Sequence, residues 1–190
     1  MVSQTCAMHR PLLVIDLNGV LVDRRDQQLE GRPALGKWGM RYAYERQHAA
    51  QFVEWAAGQG WRVGLWTSAK HKNAVLLARA ALGDACAAVS FVYAQEHCEV
   101  AGTCSEGRPI FQKPLARLWR EGLGVPKRTV LLDDGRDKIC TGEEDNALIC
   151  PKYDASAGDD FVLAQGGWLR TALLDIMAAD DVRDRIVQSY

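Results

Sequence analysis

Acidic and hydroxyl side chains stand at the ends of apolar runs in this 190-residue sequence, where they are placed to do chemistry. Asp16 ends "LLVID", and Asp133 with Asp134 ends "TVLLDD". Thr67 and Ser68 follow "VGLW". A carboxylate delivered by a buried strand can serve as a nucleophile, as an acid or base, or as a ligand of a hard metal ion. These positions are therefore candidates for one catalytic site.

Each of these motifs also has an ordinary structural interpretation. An aspartate after a strand is often a turn former, "TS" before a helix is often a cap, and "DDG" is a common turn. Asn18-Gly19 is a strong signal for a β-hairpin turn, because both residues tolerate positive φ. Lys113 stands at the start of a predicted helix, where exposure to solvent is the usual fate of a lysine.

Strand-like and helical segments alternate along the chain. The patterns of "HAAQFVEWAAGQG", "KHKNAVLLARAAL" and "PLARLWREGLG" predict helices that end at glycines, and residues 159–179 are predicted to be mostly helical. Strands are predicted at "LLVID", "WRVGLWTS", "AVSFVYA", "RTVLLDD" and "NALIC". This alternation predicts an α/β fold with a central parallel sheet flanked by helices. Ligands of such sheets bind outside the carboxyl ends of the strands, where the candidate residues lie.

The composition limits the classes of function. The length fits a single domain. The 23 basic and 24 acidic residues give a net charge of -1, which offers no footprint for nucleic acid or an anionic membrane. The sequence has no apolar run long enough for a membrane span, and "LLVI" is too short for a secretory signal. We expect a cytoplasmic or nuclear protein that binds neither nucleic acid nor membrane, and the oligomeric state stays open.

The six cysteines are scattered along the chain rather than packed into a short secreted framework. This distribution predicts reduced thiols. His97, Cys98 and Cys104 lie close enough in sequence to suggest zinc. Their spacing matches no common structural site, and no second ligand pair stands nearby. Zinc is therefore the weaker interpretation of this segment.

The motifs "LLVIDLNGVLVD", "GLWTSA", "QKPLARLW" and "VLLDDGRD" resemble the four motifs of the haloacid dehalogenase (HAD) superfamily. They are most similar to its branch of small carboxy-terminal-domain phosphatases and NLI-interacting-factor-like proteins. "ERQHAAQFVEWA" and "YAQEHC" are similar to further segments of that branch. The resemblance implies one Rossmann-like HAD domain over residues 1–190, with a core of about 12–178. It would have no cap domain, and a small flap would follow the first strand, with Asn18-Gly19 as its turn.

The resemblance assigns Asp16 as the nucleophile that forms an aspartyl-phosphate. It also implies a Mg²⁺ cofactor, held by the carboxylates of Asp16 and Asp134 and by the backbone carbonyl of Asn18. Asp133 would orient the ligands around the metal.

The same resemblance implies the groups that bind the phosphate. Thr67, with Ser68 beside it, would hydrogen-bond a phosphoryl oxygen. Lys113 would stabilise the charge on the nucleophile and the phosphate. A site without a cap suits a phosphoprotein or phosphopeptide, or another accessible phosphomonoester.

One position departs from the family pattern, which has aspartate two residues after the nucleophile as general acid and base. Asn18 cannot exchange a proton near neutral pH, and acid–base help is worth about 10² to 10⁴ in rate. Two hypotheses follow: a phosphatase of reduced activity, or a catalytically weak or inactive pseudophosphatase that serves as a protein-binding module. A metal-free dehalogenase is disfavoured by Asp133-Asp134, which are typical of a metal site.

Overall fold

A computed structural model describes residues 10–186 of the chain. Its strands are β1 (Leu12–Ile15), β2 (Val22–Arg25), β3 (Gly36–Trp38), β4 (Arg41–Glu45), β5 (Arg62–Trp66), β6 (Val89–Tyr93), β7 (Glu99–Thr103), β8 (Pro109–Gln112), β9 (Thr129–Asp133) and β10 (Ala147–Ile149). Its α-helices are α1 (Ala49–Gln59), α2 (His71–Leu82), α3 (Leu115–Arg120) and α4 (Trp168–Ala178). Within the described residues, no helix is long and apolar enough to cross a membrane.

Five strands form the central sheet in the order β10-β9-β1-β5-β6, and every neighbouring pair is parallel. β1 lies in the middle, between β9 and β5. Its four residues are all buried, which explains why its sequence is apolar throughout rather than alternating. The predicted α/β fold with a parallel sheet is confirmed.

Helices cover both faces of this sheet. Leu13 and Ile15 of β1 belong to the larger hydrophobic cluster, whereas Leu12 and Val14 belong to the smaller one, because successive side chains of a strand point to opposite faces. The larger cluster also holds buried residues of α1, α2 and α4, and the smaller one holds those of α3. Packing on both faces holds the strands in place, and therefore also positions the side chains that follow their carboxyl ends.

The chain leaves the sheet after β1 and forms a small antiparallel sheet in the order β2-β4-β3. β2 pairs with β4 and not with β1, so the Asn18-Gly19 signal does not join β1 and β2 as a hairpin. The turn is nevertheless real: Gly19 has φ +100°, and its N–H donates to the carbonyl of Val22 at 2.7 Å. These three strands are the predicted flap.

A two-stranded antiparallel ribbon, β7 and β8, fills most of the segment between β6 and Lys113. All five residues of β7 are exposed. The segment between β6 and Lys113 is too short for a cap domain. The ribbon occupies this segment and does not form a domain over the strand ends.

The last helix is shorter than predicted. α4 begins at Trp168, and residues 159–167 before it form turns. The N–H of Ala164 donates to the carbonyl of Phe161, and that of Gly167 to Ala164. Gly166 has φ +75°, which an α-helix does not allow. The expectation that residues 159–179 are mostly helical is therefore wrong for the first nine of them.

Candidate active site

Three carboxylates meet at one edge of the central sheet. Asp16 directly follows β1, Asp133 ends β9, and Asp134 comes next. The two strands are parallel neighbours, and the N–H of Asp16 donates to the carbonyl of Leu132 at 2.9 Å. Oxygens of the three carboxylates lie within 4.8 Å of one another, and between residues 10 and 186 no other group of three such ligands is this close.

Lys113 reaches this edge from the chain segment before α3. Its side chain is 1% exposed, and its Nζ lies 2.9 Å from Asp16 Oδ1 and 2.5 Å from Asp133 Oδ2. Its N–H donates to the carbonyl of Lys138, and Glu143 accepts the N–H group of Leu115 at 2.7 Å. The interpretation of Lys113 as a solvated lysine is therefore wrong. A buried ammonium group lies between two carboxylates.

A second lysine, which the sequence analysis missed, completes the group. Lys138 Nζ lies 3.0 Å from both Asp16 Oδ2 and Asp133 Oδ1, and it also contacts Asp134 Oδ1. A short 3-10 turn, Arg136–Lys138, brings it back over the strand ends. Its only sequence signal is its position four residues after Asp134, and no motif includes it. We call these five residues, Asp16, Lys113, Asp133, Asp134 and Lys138, the strand-end cluster.

The charges of the strand-end cluster stabilise one another. Burial alone would raise the pKa of Asp133, but the Lys113 and Lys138 ammonium groups outweigh it and lower that pKa to about 2. Burial likewise opposes the charge of both lysines, yet the carboxylates of Asp133 and Asp16 raise the pKa of Lys113 and that of Lys138. Burial raises the pKa of Asp134, although Lys138 opposes the rise. With all five groups charged, the cluster carries a net charge of -1.

Thr67 and Ser68 follow β5, the other neighbour of β1. Thr67 is buried, its N–H donates to the carbonyl of Tyr93 at 3.0 Å, and its Oγ1 accepts the N–H of Ala69 at 3.3 Å. Ser68 is exposed. Both residues thus lie at the edge that carries the carboxylates, one fixed in the protein and the other facing solvent.

An open cleft of about 520 Å³ adjoins the cluster. Its lining combines residues of the flap, the ribbon and the strand-end loops: Arg41, Ser68, Cys104, Arg108, Pro109, Ile110, Phe111, Asp137 and Lys138. Arg41 forms an ion pair with Asp26 at 2.9 Å. Lys138 therefore belongs to both the cleft and the strand-end cluster.

The turn after Asp16 packs closely against the cluster. A Cβ at Gly19 would lie 2.1 Å from Asp134 Oδ2, so only glycine fits there without a shift. Asn18 Oδ1 is buried and accepts no hydrogen bond within the described part of the chain. An unpaired buried carbonyl costs about 1–3 kcal/mol, and a ligand that donates to it would relieve that cost.

The donor set suits a hard cation. Carboxylate oxygens are the ligands that Mg²⁺ prefers, and Asp16 and Asp134 offer theirs within the distance given above. Among the described residues, His97, Cys98 and Cys104 do not form a comparable group of closely spaced ligand atoms. His97 Nδ1 accepts the N–H of Ala94 at 3.1 Å, and the His97 ring stacks on Tyr93.

The cysteines that the structure describes, at positions 86, 98, 104, 140 and 150, form no disulfide with one another. Cys6 lies outside the described residues. The prediction of six free thiols therefore stays a prediction.

The sequence matches one family of known proteins. The profile of NLI interacting factor-like phosphatases matches residues 11–183. None of the curated proteins matches the sequence of this chain.

Solved structures share the fold at low identity. A variant of the fission yeast RNA polymerase II CTD phosphatase Fcp1 bound to beryllium fluoride superposes with a TM-score of 0.57 at 16% identity, over 91% of this chain and 53% of that one. A second structure of Fcp1, described as an essential RNA polymerase II CTD phosphatase, gives 0.56 at 17%, over 81% and 45%. A predicted phosphoglycolate phosphatase from Haemophilus somnus gives 0.50 at 11%, over 83% and 92%. This chain spans about half the length of the Fcp1 chains.

Proposed function

The chain belongs to the NLI interacting factor-like phosphatase family, and from this premise we propose that it is a Mg²⁺-dependent phosphatase of reduced activity. The observation that carries the proposal is the buried contact of Lys113 with both Asp16 and Asp133. A lysine is almost never buried unless it is paired. A protein that used this fold only for contacts with partners would not need an ammonium group and three carboxylates at the strand ends.

In the proposed reaction a carboxylate oxygen of Asp16 attacks the phosphorus of a phosphomonoester. The Asp16 O–P bond forms, the bond to the ester oxygen breaks, and the leaving group departs as an alkoxide or phenolate that takes its proton from water, because Asn18 supplies none. Water then attacks the phosphorus of the aspartyl-phosphate, the Asp16 O–P bond breaks, and the carboxylate and inorganic phosphate are released, with the proton of the water passing to solvent. Splitting the hydrolysis in this way replaces one difficult displacement by two easier ones.

The other residues of the site would hold charge in place. Lys113 contacts Asp16 Oδ1 and Asp133 Oδ2, and thereby holds the nucleophilic carboxylate in place. Asp133 accepts the N–H groups of Asp134 and Gly135 at 2.8 and 3.1 Å, and thereby orients Asp134. Mg²⁺ bound by Asp16, Asp134 and the backbone carbonyl of Asn18 would neutralise charge between nucleophile and phosphate.

The substrate is proposed to be a phosphoprotein or phosphopeptide, or another exposed phosphomonoester, in the cytoplasm or the nucleus. The open cleft supports this, because Arg41, Arg108 and Ser68 all line it, and arginine matches phosphate geometry well. The present partners of the two arginines, Asp26 and Glu106, are exposed carboxylates that a phosphate would replace. Thr67 and Ser68 would donate hydrogen bonds to phosphoryl oxygens, together with Lys113.

The direct test is the Mg²⁺-dependent hydrolysis of an aryl phosphate by purified protein, with Asp16→Asn as the blank. In parallel, Mg²⁺ with beryllium fluoride, a mimic of the aspartyl-phosphate, should raise the melting temperature, since a ligand of the folded state stabilises it. Asp134→Ala should lose that rise. Absence of the rise in the wild type, or an equal rise in Asp134→Ala, would count against the site and its ligands.

Asn18 favours the second candidate function, a binding module that retains the phosphatase fold. Asn18→Asp separates the two candidates, because it supplies the proton donor without removing the backbone carbonyl. If formation of the phosphoenzyme limits the rate, the gain should be larger for a phosphoserine peptide than for an aryl phosphate, up to about 10² to 10⁴. A serine alkoxide needs a proton far more than a phenolate does. If attack of water limits the rate, both substrates should gain equally.

One control and one contradicting outcome make this test decisive. Peptide mapping must show that the wild-type sample carries asparagine, because Asn-Gly pairs deamidate. If Asn18→Asp folds, binds Mg²⁺ and hydrolyses neither substrate, the catalytic proposal fails and the binding module replaces it.

A further inference from the structure

We propose that Lys138 is an internal cation that competes with the divalent metal ion for the carboxylates of the strand-end cluster. The inference rests on the proposed metal site and adds a residue that the family resemblance does not assign. Its basis is the contact of one ammonium group with Asp16, Asp133 and Asp134 together. These are the three carboxylates that offer a metal site.

The two lysines divide the carboxylate oxygens between them. Lys113 contacts Asp16 Oδ1 and Asp133 Oδ2, whereas Lys138 contacts Asp16 Oδ2 and Asp133 Oδ1. Only Lys138 also reaches Asp134, which is one of the proposed metal ligands. Lys138 therefore contacts both carboxylates proposed to bind the ion, whereas Lys113 contacts only Asp16 of that pair.

A metal ion and this ammonium group cannot use the same oxygens at the same time. Mg²⁺ binds oxygen at about 2.0–2.1 Å, and Lys138 Nζ already lies 3.0 Å from Asp16 Oδ2. Both cations would then be in contact with one oxygen at short range, and their repulsion is strong away from bulk water. Binding of the ion therefore requires the ammonium group to leave.

Lys138 has a route out of the cluster, and Lys113 does not. The side chain of Lys138 is 23% exposed and lines the open cleft, whereas that of Lys113 is 1% exposed. Both backbone polar groups of Lys138 are hydrogen-bonded: its N–H donates to the carbonyl of Gly135 at 3.3 Å, and its carbonyl accepts the N–H of Lys113 at 3.0 Å. Rotation of the side chain into the cleft is then sufficient, and no loop needs to move.

The consequence is a site that is stable without metal but binds it weakly. With Lys138 in place the cluster carries a net charge of -1, and without that ammonium group it would carry -2. Lys138 thus already supplies part of the electrostatic stabilisation that the ion would give to the carboxylates. The free energy of ion binding is then only the difference between the two stabilisations. Divalent ions should load the site at higher concentration than three neighbouring carboxylates would otherwise require.

The test compares Mg²⁺ affinity, measured by calorimetric titration, in the wild type, Lys138→Met and Lys127→Met. Methionine keeps the length of the side chain and removes its charge. Lys127 is exposed and stands two residues before the start of β9, so the control removes the same charge near the opposite end of that strand. We expect Lys138→Met to bind Mg²⁺ at least about tenfold more tightly, and Lys127→Met to change the affinity less than about twofold.

A second measurement guards against a variant that simply folds poorly. Melting in EDTA should show Lys138→Met less stable than the wild type, and saturating Mg²⁺ should bring the two together. Lys138→Gln, which keeps a hydrogen-bond donor but no charge, should behave like Lys138→Met. It replaces that variant if methionine prevents folding.

The outcomes separate this inference from the proposed function. If Mg²⁺ binds the wild type and the Lys138 variants equally, or binds the variants more weakly, Lys138 is not a competitor, although the metal site stands. If Mg²⁺ binds none of them, the proposed metal site fails and the inference fails with it.

Discussion

Two groups of ion pairs hold distant segments of this molecule together, and they differ mainly in their exposure to water. The strand-end cluster joins β1, β9 and the segment before α3, and the side chains of Lys113 and Asp133 are at most 1% exposed. The other group, which we call the flap-side cluster, consists of Asp23, Arg25, Asp154 and Ser156. Arg25 contacts Asp23 and Asp154 there, and the side chains of Arg25 and Asp154 are 29% and 55% exposed.

The comparison shows that similar ion pairs contribute differently to stability in the two clusters. In the flap-side cluster, water can solvate Arg25 or Asp154 if the other is lost, so this exposed ion pair is worth little. Asp23 is less exposed, but it also accepts the N–H of Ala155 at 2.9 Å. In the strand-end cluster, water does not reach Lys113 and Asp133, and removal of one of them leaves buried charge less well compensated. The charges of the strand-end cluster thus depend on one another more than those of the flap-side cluster, and four predictions test this difference.

Replacement of Lys113 should have the largest effect on stability. Lys113→Met removes the ammonium group from Asp16 and Asp133, and the free energy of unfolding should fall by about 3–5 kcal/mol. Urea unfolding monitored by circular dichroism in EDTA measures the change. A loss below about 1 kcal/mol would mean that the strand-end cluster is no more interdependent than an exposed one.

Glycine positions allow the same comparison for the backbone. Gly19→Ala must strain a φ of +100° and push the Asp134 carboxylate away, so we expect a loss of about 2–4 kcal/mol. Gly31, on the flap side, has φ +70° and nothing within 4 Å of an added Cβ. Gly31→Ala should therefore show the cost of φ alone, about 1 kcal/mol. Equal losses at both positions would show that the close approach to Asp134 has no energetic weight.

Acid should weaken the strand-end cluster more than the flap-side cluster. The pKa of Asp133 is lowered from 3.8 to about 2 in the folded protein, so the folded state binds a proton less readily than the unfolded state. Its contribution, about 2 kcal/mol, is fully present above pH 4 and is lost as the pH falls through 2. Unfolding free energies between pH 5 and 2 in EDTA should show this loss. Asp133→Asn should flatten the profile, and Asp154→Asn should alter it much less.

Replacement of Arg25 should have the smallest effect. Arg25→Met breaks the contacts with Asp23 and Asp154. Solvent reaches Asp154, and Asp23 still accepts the N–H of Ala155, so the loss should stay within about 1 kcal/mol. The same urea titration that is used for Lys113→Met gives the value. A loss as large as that of Lys113→Met would erase the distinction between the two clusters.

The sequence by itself determined the parallel sheet and the edge at which the site lies. Apolar runs buried on both sides predict strands of a parallel sheet, and parallel neighbours such as β1 and β9 must end at one edge. Asp16 and Asp133 were therefore expected at the same edge, and the adjacency of β1 and β9 in the structure is what brings them together. The strands and their shared edge are local or follow from topology, so residue type and order along the chain are enough to predict them. The resemblance to HAD phosphatases added roles, which stay predictions for Asn18, Thr67, Ser68 and the others.

Only the tertiary structure decided how the two lysines are buried. The resemblance assigned Lys113 to the site, although a lysine before a short helix is by itself usually exposed. It is buried because Asp16 and Asp133, from distant strands, together offset the cost of its desolvation. Lys138 stands in no motif, and only the turn at Arg136–Lys138 brings it over three carboxylates. The start of α4 at Trp168 likewise depends on turns formed by the preceding residues. The fate of a charged side chain depends on which distant groups surround it, and that information does not reside in its neighbours along the chain.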